Sequence, residues 1–143
     1  MQKYRKLIRE LMIAVNVIDG IYANIARKMG IKENTLALMY ALDDGKAHSQ
    51  IEISREWMIP KTTLNTIVKE CVQDGYVELS VVEHSKEKSI RLTAQGRKFA
   101  GTILKPLYQI EEEAFAETLQ RYPAGFVEAL TGFTECYNKR AGI

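Results

Sequence analysis

The sequence has little of what builds a disulfide-rich or membrane-embedded protein. Its 143 residues include two cysteines and three prolines, and no apolar run approaches the roughly 20 residues that span a bilayer. Cys71 and Cys136 are far apart and lie in segments with helical patterns, so a disulfide framework is not expected. We therefore expect a single cytoplasmic domain over residues 1–143, with no membrane partner.

The sequence also lacks a large charge of one sign and the motifs of common enzymes. Twenty basic and 18 acidic residues leave a net charge of +2, which alone neither predicts nor excludes a nucleic-acid partner. There is no Gly-rich phosphate loop, no GxSxG turn and no HExxH helix. His48 and His84 are isolated, without further ligands at metal-binding spacing. We expect no enzymatic activity, no cofactor and no metal site.

The first helical pattern is long and has excess apolar surface. Over residues 4–29, apolar side chains recur at steps of three and four, and Gly30 is a natural stop. Ile13 and Val17 lie roughly opposite this stripe, and Ile21 lies at its edge. Exposed apolar residues are common on any surface, but this excess favours a second partner surface. We interpret the helix as an oligomer interface.

Two shorter helices follow. Residues 34–44 predict a second helix with Asn34 or Thr35 as its N-cap. Ser49 and Glu52 have the spacing of a capping box, in which the hydroxyl and the carboxylate each satisfy a backbone N–H at a helix start. A third helix is therefore expected to begin directly after Ser49.

The fourth predicted helix has one apolar and one polar face. Pro60 ends the preceding helix and suits the first turn of this one, which runs to about Asp74. The apolar residues are Leu64, Ile67, Val68, Cys71 and Val72. The polar residues opposite them are Thr62, Asn65, Thr66, Lys69 and Gln73. This face has no carboxylate and suits a phosphate-bearing duplex, although an ordinary solvated helix face has a similar composition.

After Gly75 the apolar period changes to two, which predicts a hairpin. Val77, Leu79 and Val81 alternate with Glu78, Ser80 and Val82, and Ile90 and Leu92 alternate with Ser89, Arg91 and Thr93. The predicted tip, residues 84–88, contains Lys86 and Lys88, which suit phosphate contacts; a polar tip that prevents edge association is the alternative. Thr93 is expected to cap a long helix bent near Pro106, and Pro123 is expected to open the last helix.

The order of these elements predicts a winged helix-turn-helix. We expect a mainly α fold with a small β-hairpin wing, in which residues 33–96 form the winged helix-turn-helix and long helices flank it on both sides. One helix fits the major groove of B-form DNA, and the ribbon beside it reaches the flanking phosphates. Short Thr and Asn side chains suit base edges, whereas lysines supply sequence-independent attraction.

The stretch over residues 36–96 resembles the MarR family of bacterial transcriptional regulators. The resemblance rests on the segments SQIEIS, QDGYV and KSIRLTAQG, and the closing Leu-Thr-x-x-Gly is its most specific local part. The flanking helices resemble the family's dimerisation region, which implies that residues 1–30 and 97–143 form dimerisation helices. The resemblance implies a homodimer that binds a pseudo-palindromic double-stranded DNA operator and responds to a small ligand or to oxidation.

The resemblance also implies which residues contact DNA. The positions that match the recognition helix are Pro60, Lys61, Thr62, Thr63, Asn65, Thr66 and Lys69, and those that match the backbone-contacting helix start are Ser49 and Gln50. At the wing, the family's Asp-x-Arg is replaced by His84-Ser85-Lys86, so a bidentate guanidinium becomes a flexible point charge. For Lys86 and Lys88 we therefore expect phosphate contacts rather than insertion into the minor groove.

Two other functions stay open at this point. The modest net charge is compatible with a winged-helix protein-interaction module that does not bind DNA. Tyr22, Tyr40 and Met12 could also line the cavity of a dimer whose main partner is a small molecule, although such residues at helical spacing are more often core. Cys136 could be a sensor thiol, but the sequence shows no adjacent cation in an identifiable pocket, so whether it has a redox role stays open.

Overall fold

The structure is a computed structural model that describes residues 2–81 and 83–143. Val82, placed in the first hairpin strand by its alternation, lies outside the described residues. The elements are α1 (Arg5–Met29), α2 (Glu33–Leu42), β1 (His48–Ser49), α3 (Gln50–Glu56), α4 (Lys61–Gln73), β2 (Val77–Val81), β3 (Lys88–Leu92), α5 (Ala94–Leu119) and α6 (Gly125–Ala141). They fall into two compact units, Met1–Lys105 and Pro106–Ile143. The expected mainly α fold with a small β wing is confirmed.

Helix α1 has the predicted length and the predicted excess of apolar surface. It ends at Gly30, whose φ of +70° is the left-handed conformation that glycine adopts without steric cost. Ala26 is its one buried residue among those described, whereas Leu7, Ile13 and Val17 are 65%, 53% and 54% exposed. Most of its apolar side chains are therefore not covered by the chain itself.

Helix α2 begins two to three residues before the predicted start. Lys32, not Asn34 or Thr35, is the N-cap, with an extended ψ of 139°, and its carbonyl accepts from Leu36 N–H at 3.0 Å. Its ammonium is held by Glu70 of α4, at 3.0 Å. The prediction was wrong because it relied on the preference for a side-chain cap, whereas α2 starts after Lys32 without any side-chain capping hydrogen bond. At the other end, α2 stops at Leu42, two residues before the predicted limit.

The predicted turn between α3 and α4 is present. The Ser49 hydroxyl accepts a hydrogen bond from Glu52 N–H at 3.2 Å, which is one half of the expected capping box. The Ser54 hydroxyl, within α3, donates to the carbonyl of Ile59 beyond its end at 2.6 Å, and Ile59 N–H donates back to the Ser54 carbonyl at 3.2 Å. Pro60 is the N-cap of α4 rather than a residue of its first turn. The two helices are thus joined by a short, hydrogen-bonded turn.

The wing is a three-stranded antiparallel sheet with the order β1-β3-β2 rather than a two-stranded hairpin. Strand β1 was not predicted, because it has only two residues and exists by pairing His48 with Ile90 and Ser49 with Ser89. Lys88, placed at the tip by sequence, is the first residue of β3 and pairs with Val81. The pairing of β3 with β2 thus places Lys88 within a strand rather than at the tip of the wing.

The core of the first unit joins α4, the sheet and α5. Leu64, Ile67, Val68 and Cys71 of α4 are buried as predicted, whereas Val72 is 37% exposed and does not belong to the core. Thr93 caps α5, since its hydroxyl accepts from Gly96 N–H at 2.9 Å and donates to the Gly75 carbonyl at 2.6 Å. This pair of bonds ties the end of the wing to the start of α5.

The second unit contains the end of α5 and helix α6. Pro123 does not open α6, which begins at Gly125; instead, Phe126 N–H donates to the Pro123 carbonyl in a preceding turn at 3.3 Å. The rings of Phe115 and Phe126 pack with centroids 5.6 Å apart. Throughout the described residues, every helix is too short or too polar to cross a bilayer.

Candidate nucleic-acid interface

The polar face of α4 is open to solvent. Lys61, Thr62, Thr66 and Lys69 are exposed, and Asn65 is half-buried. The Thr66 hydroxyl donates to the Thr62 carbonyl at 3.1 Å, so its proton is committed to the helix while its lone pairs stay available. The nearest carboxylate on the helix, Glu70, is paired with Lys32 at 3.0 Å. This face therefore offers a ligand mainly cations, hydroxyl lone pairs and the amides of Asn65 and Gln73.

A cleft of about 330 Å³, here called the wing cleft, separates α4 from the wing. Its lining consists of Gln50, Ile51, Lys61, Thr62, Leu64, Asn65, Lys86, Glu87 and Lys88. It brings six of the predicted site residues together from α3, α4 and the wing. Three of them are lysines, so the cleft attracts a polyanion such as a phosphate backbone.

The other predicted site residues lie elsewhere. Thr63 and Thr66 line a second cleft of about 310 Å³ on the side of α4 that faces the start of α2, with Lys32, Glu33 and Asn34 opposite. Lys69 lines neither cleft and lies further along the exposed face of α4. The α4 face is thus flanked by one cleft on each side.

Ser49 is directed toward the wing rather than into the cleft. Its hydroxyl accepts from Glu52 N–H at 3.2 Å and approaches Glu87 Oε1 at 3.5 Å as a donor. Glu87 N–H in turn donates to the Ser85 hydroxyl at 3.0 Å. A hydroxyl has a single proton, so Ser49 cannot donate to Glu87 and to a phosphate at once. The structure therefore links Ser49 to the position of the wing.

Glu87 is a residue that the sequence reasoning missed. It is half-buried in the lining of the wing cleft between Lys86 and Lys88, and it places one carboxylate among the three lysines. Within a strand, Glu87 would point to the face opposite that of Lys86 and Lys88. Glu87 lies before β3, so this alternation does not apply to it.

The sequence suggested that His48 is isolated, but in the structure its ring contacts Asp44. Its Nε2 lies 2.8 Å from Asp44 Oδ2, and the Lys46 N–H also donates to Asp44, at 2.9 Å. The hydrogen bond with His48, followed by that from Lys46, lowers the pKa of Asp44. Among residues 2–81 and 83–143, no three His, Cys, Asp or Glu side chains are grouped as metal ligands would be.

The two cysteines are free and lie in different environments. Cys71 is buried, and that burial, with smaller contributions from Asp74 and Glu70, raises the pKa of its thiol to about 11. The thiolate is the reactive form of cysteine, so Cys71 behaves as a small core residue, as expected. Cys136 is exposed on α6.

A separate cavity of about 190 Å³ lies where α1, α2 and the residue after α3 meet. It is lined by Asp19, Tyr22, Glu33, Asn34, Leu36, Ala37, Tyr40 and Trp57. Tyr22 and Tyr40 are therefore cavity residues, as one of the alternatives held, whereas Met12 is outside the lining. Trp57 was missed because it reaches the cavity through its ring contact with Tyr40 of α2, with centroids 5.2 Å apart, which the spacing along the chain does not indicate.

Comparison with known proteins identifies the winged-helix segment. Residues 29–86, from the end of α1 to the wing, match the model of the MarR family. This segment belongs to the MarR family. The match to the family contains α2, α3, α4 and β2 and extends to Lys86. It therefore includes the complete α4 face and most of the wing cleft.

Solved MarR structures share the fold along nearly the whole chain. A MarR family regulator from Neisseria meningitidis is 20% identical, with a TM-score of 0.78 over 99% of this chain and 98% of its own. A Staphylococcus aureus MarR in complex with salicylate and kanamycin is 16% identical, with a TM-score of 0.65 over 99% and 97%. Overoxidized AbfR bound to DNA is 15% identical, with a TM-score of 0.63 over 96% and 97%.

No curated protein sequence matches the chain significantly. The MarR fold therefore rests on the family model and on structural likeness, and it is the fold of a transcriptional regulator. The matched proteins are regulators rather than enzymes.

Proposed function

We propose that this protein is a sequence-specific, double-stranded DNA-binding regulator of the MarR type that acts in the cytoplasm. The observation that carries the proposal is the open, carboxylate-free face of α4 beside a wing cleft lined by Lys61, Lys86 and Lys88. A helix fits the major groove, and the flanking lysines reach the phosphates on either side. The matched AbfR structure contains DNA, which supports the same use of the fold here.

The proposed contacts divide into two kinds. Asn65 and Thr62 would read base edges from α4, whereas Lys61, Lys69, Lys86, Lys88 and Gln50 would hold the phosphates. Thr63 and Thr66 would complete the contacts on the side of α4 that faces α2. We assign Ser49 to holding the wing, because its proton is directed at Glu87.

We propose that the active form is a homodimer on a pseudo-palindromic operator, with half-sites about one helical turn apart. The apolar side chains that α1 leaves exposed support this assembly, with Leu7 at 65% and Ile18 at 51%. In the second unit, Ile110 and Val127 are exposed at 53% and 45%. Burial of such surface against a second copy is favourable by about 25 cal/mol per Å² before the costs of association.

The direct test is titration of labelled duplexes with the purified protein. We expect saturable, salt-sensitive binding to the DNA upstream of its own coding region and weaker binding to random duplex. Non-specific binding by such proteins has a Kd of about 10⁻⁴–10⁻⁶ M, so no binding of any duplex at tens of micromolar would favour the protein-interaction module instead. Light scattering gives the oligomeric state under the same conditions.

Lys86→Ala is expected to weaken binding to all duplexes alike. The lysine lines the wing cleft as a point charge, and without it one counterion fewer per subunit is released on binding. The slope of log Kd against log salt should fall by about one unit for each phosphate that the variant no longer neutralises, with the preference for the operator unchanged. Anisotropy titrations over a series of salt concentrations measure both quantities. A change of operator preference would instead place Lys86 against bases.

Glu87→Gln is expected to strengthen binding to all duplexes by roughly threefold to tenfold at low salt, because it removes the one carboxylate of the wing cleft. The glutamine carbonyl still accepts from Ser49, so the wing keeps its support. Glu56→Gln, an equal change of charge outside the lining, is the matched control. Weaker binding by Glu87→Gln would mean that the carboxylate itself contacts the duplex.

A further inference from the structure

The wing leaves one long edge of its sheet unpaired. In the order β1-β3-β2, β3 lies in the middle, so β1 and β2 form the two edges. Strand β1 has two residues and passes directly into α3, whereas β2 has five, Val77–Val81. Within the described residues, no strand pairs with the outer side of β2. Backbone groups on that side are therefore available to another strand.

The hydrogen bonds of the wing determine which residues of β2 turn their backbone groups outward. Thr93 N–H donates to the Tyr76 carbonyl at 3.0 Å, and the strand register places these two residues opposite each other. In an antiparallel ladder, hydrogen-bonded pairs alternate with non-bonded pairs, whose backbone groups point away from the partner strand. The bonded positions of β2 are therefore the even-numbered ones. Leu79 and Val81 present their N–H and carbonyl groups at the free edge.

The same two residues are the apolar side chains of β2 that the chain leaves uncovered. Leu79 and Val81 are 40% and 78% exposed. They lie on the same face of the sheet as Val77, which is 2% exposed and belongs to the core. A second strand cannot reach Val77 at that depth, so the accessible edge is residues 79–81. This edge combines apolar side chains with unpaired backbone groups.

The β2 edge also lacks the features that usually prevent strands of two molecules from pairing. Such features are lysines, prolines, bulges and unpaired charges on the edge strand. Strand β2 contains neither Lys nor Pro, and its five residues pair with β3 in an unbroken register without a bulge. Its one charged side chain, Glu78, is bound to Arg91 of β3. The charge of the edge is therefore already compensated within the wing.

We propose that the β2 edge pairs with the β2 edge of a second copy of this chain, antiparallel and centred on Ser80. In this register, Leu79 of each copy lies opposite Val81 of the other, and each such pair exchanges both of its backbone hydrogen bonds. The two apolar pairs contact each other on one face of the sheet, and the two Ser80 side chains meet on the other. The two Glu78 side chains lie four positions out of register, about 13 Å apart along the strands, so like charges do not oppose each other.

This pairing is weak because its area is small. Three residues from each copy bury far less surface than the roughly 1,200–2,000 Å² of a stable interface. We therefore expect it at high protein concentration or between copies that are already held close together. The surface contains no residue of α1 or of the second unit. With the proposed homodimer it links dimers to one another, as on neighbouring operators; this consequence rests on the proposed function, whereas the edge pairing does not.

A disulfide across the symmetry axis tests the register. Ser80→Cys and Glu78→Cys are compared in a Cys136→Ser background, which removes the exposed thiol and leaves the buried Cys71. Opposite Cα atoms of a non-bonded pair are about 4.5 Å apart, within the reach of a disulfide, whereas positions displaced by four residues are beyond it. On non-reducing gels after mild oxidation, we expect Ser80→Cys to cross-link two chains at least about tenfold faster than Glu78→Cys.

Light scattering of the full-length protein without DNA measures the association itself. We expect the average mass to rise with concentration toward twice its value at low concentration. Val81→Lys places a charge at the edge and should raise the Kd of this association at least about tenfold. The side chain is 78% exposed, so the fold should tolerate the change, which circular dichroism checks. Val72→Lys, the same change at the exposed edge of α4, is the matched control and should leave the Kd unchanged.

The proposal is overturned if the mass stays constant up to millimolar concentration or if Val81→Lys associates like the unchanged protein. Equal cross-linking by both cysteine variants would also overturn it, because random encounters and a parallel in-register pairing both predict that result. These measurements need no DNA. Edge pairing by a protein that binds no duplex would contradict only the DNA-binding proposal, and operator binding without edge pairing would contradict only this one.

Discussion

Gly96→Ala is expected to destabilise the fold by about 3 kcal/mol or more. A Cβ atom at this position would lie 1.8 Å from the Tyr76 carbonyl oxygen, far inside van der Waals contact. That carbonyl cannot easily retreat, because it accepts from Thr93 N–H at 3.0 Å and follows Gly75, whose own carbonyl is bound by the Thr93 hydroxyl. Urea unfolding followed by circular dichroism measures the decrease in stability.

Gly101→Ala provides the matched control on the same helix. Nothing lies within 4 Å of a Cβ built there, so this change should stabilise α5 by roughly 0.5–1 kcal/mol through helix propensity alone. If Gly96→Ala lowers the free energy of unfolding and Gly101→Ala raises it, close backbone packing rather than helix propensity requires the glycine at position 96. Equal effects would contradict the contact between Gly96 and Tyr76.

Asn65→Ala is expected to cost about 1–3 kcal/mol of discrimination at one base position of the operator, with little effect on random duplex. The amide is half-buried in the wing cleft, on the side of α4 where it stands beside Thr62. An asparagine can donate to and accept from one base edge at once, which a lysine cannot do. Selection of bound duplexes from a random pool, followed by competition titrations, measures the change.

Asn24→Ala removes the same amide from an exposed site on α1 and should leave operator preference unchanged. Lys86→Ala provides the complementary contrast, since it should weaken binding to all duplexes together. If Asn65→Ala weakens operator and random DNA by the same factor, Asn65 does not read a base. In that case discrimination would have to come from other α4 side chains or from the shape of the duplex.

Much of the helical part of the fold was predictable from local signals. The end of α1 at Gly30, the Ser49 cap and the Thr93 cap are confirmed, because each depends on backbone groups within a few residues of the capping side chain. The alternation that predicts β2 and β3 is local in the same way. The buried face of α4 followed from a period of 3.6, with Val72 as the exception at its edge.

The candidate site was predictable in composition but not in arrangement. Lys61, Lys86 and Lys88 were singled out individually, yet the sequence does not show that they share one cleft, or that Glu87 stands among them. The cavity beside Trp57 was anticipated only through Tyr22 and Tyr40. Side chains 17 to 35 residues apart come together there through helix packing, which periodicity does not specify.

By itself, the sequence determined the order of the helices and of the two hairpin strands, the caps at Gly30, Ser49 and Thr93, and which face of α4 is polar, since these depend on interactions within one or two turns of chain. Only the tertiary structure decided that β1 joins the wing and that Gly96 lies against the Tyr76 carbonyl. Each of these depends on groups brought together by packing or strand pairing. Their distances are set by the whole fold rather than by spacing along the chain.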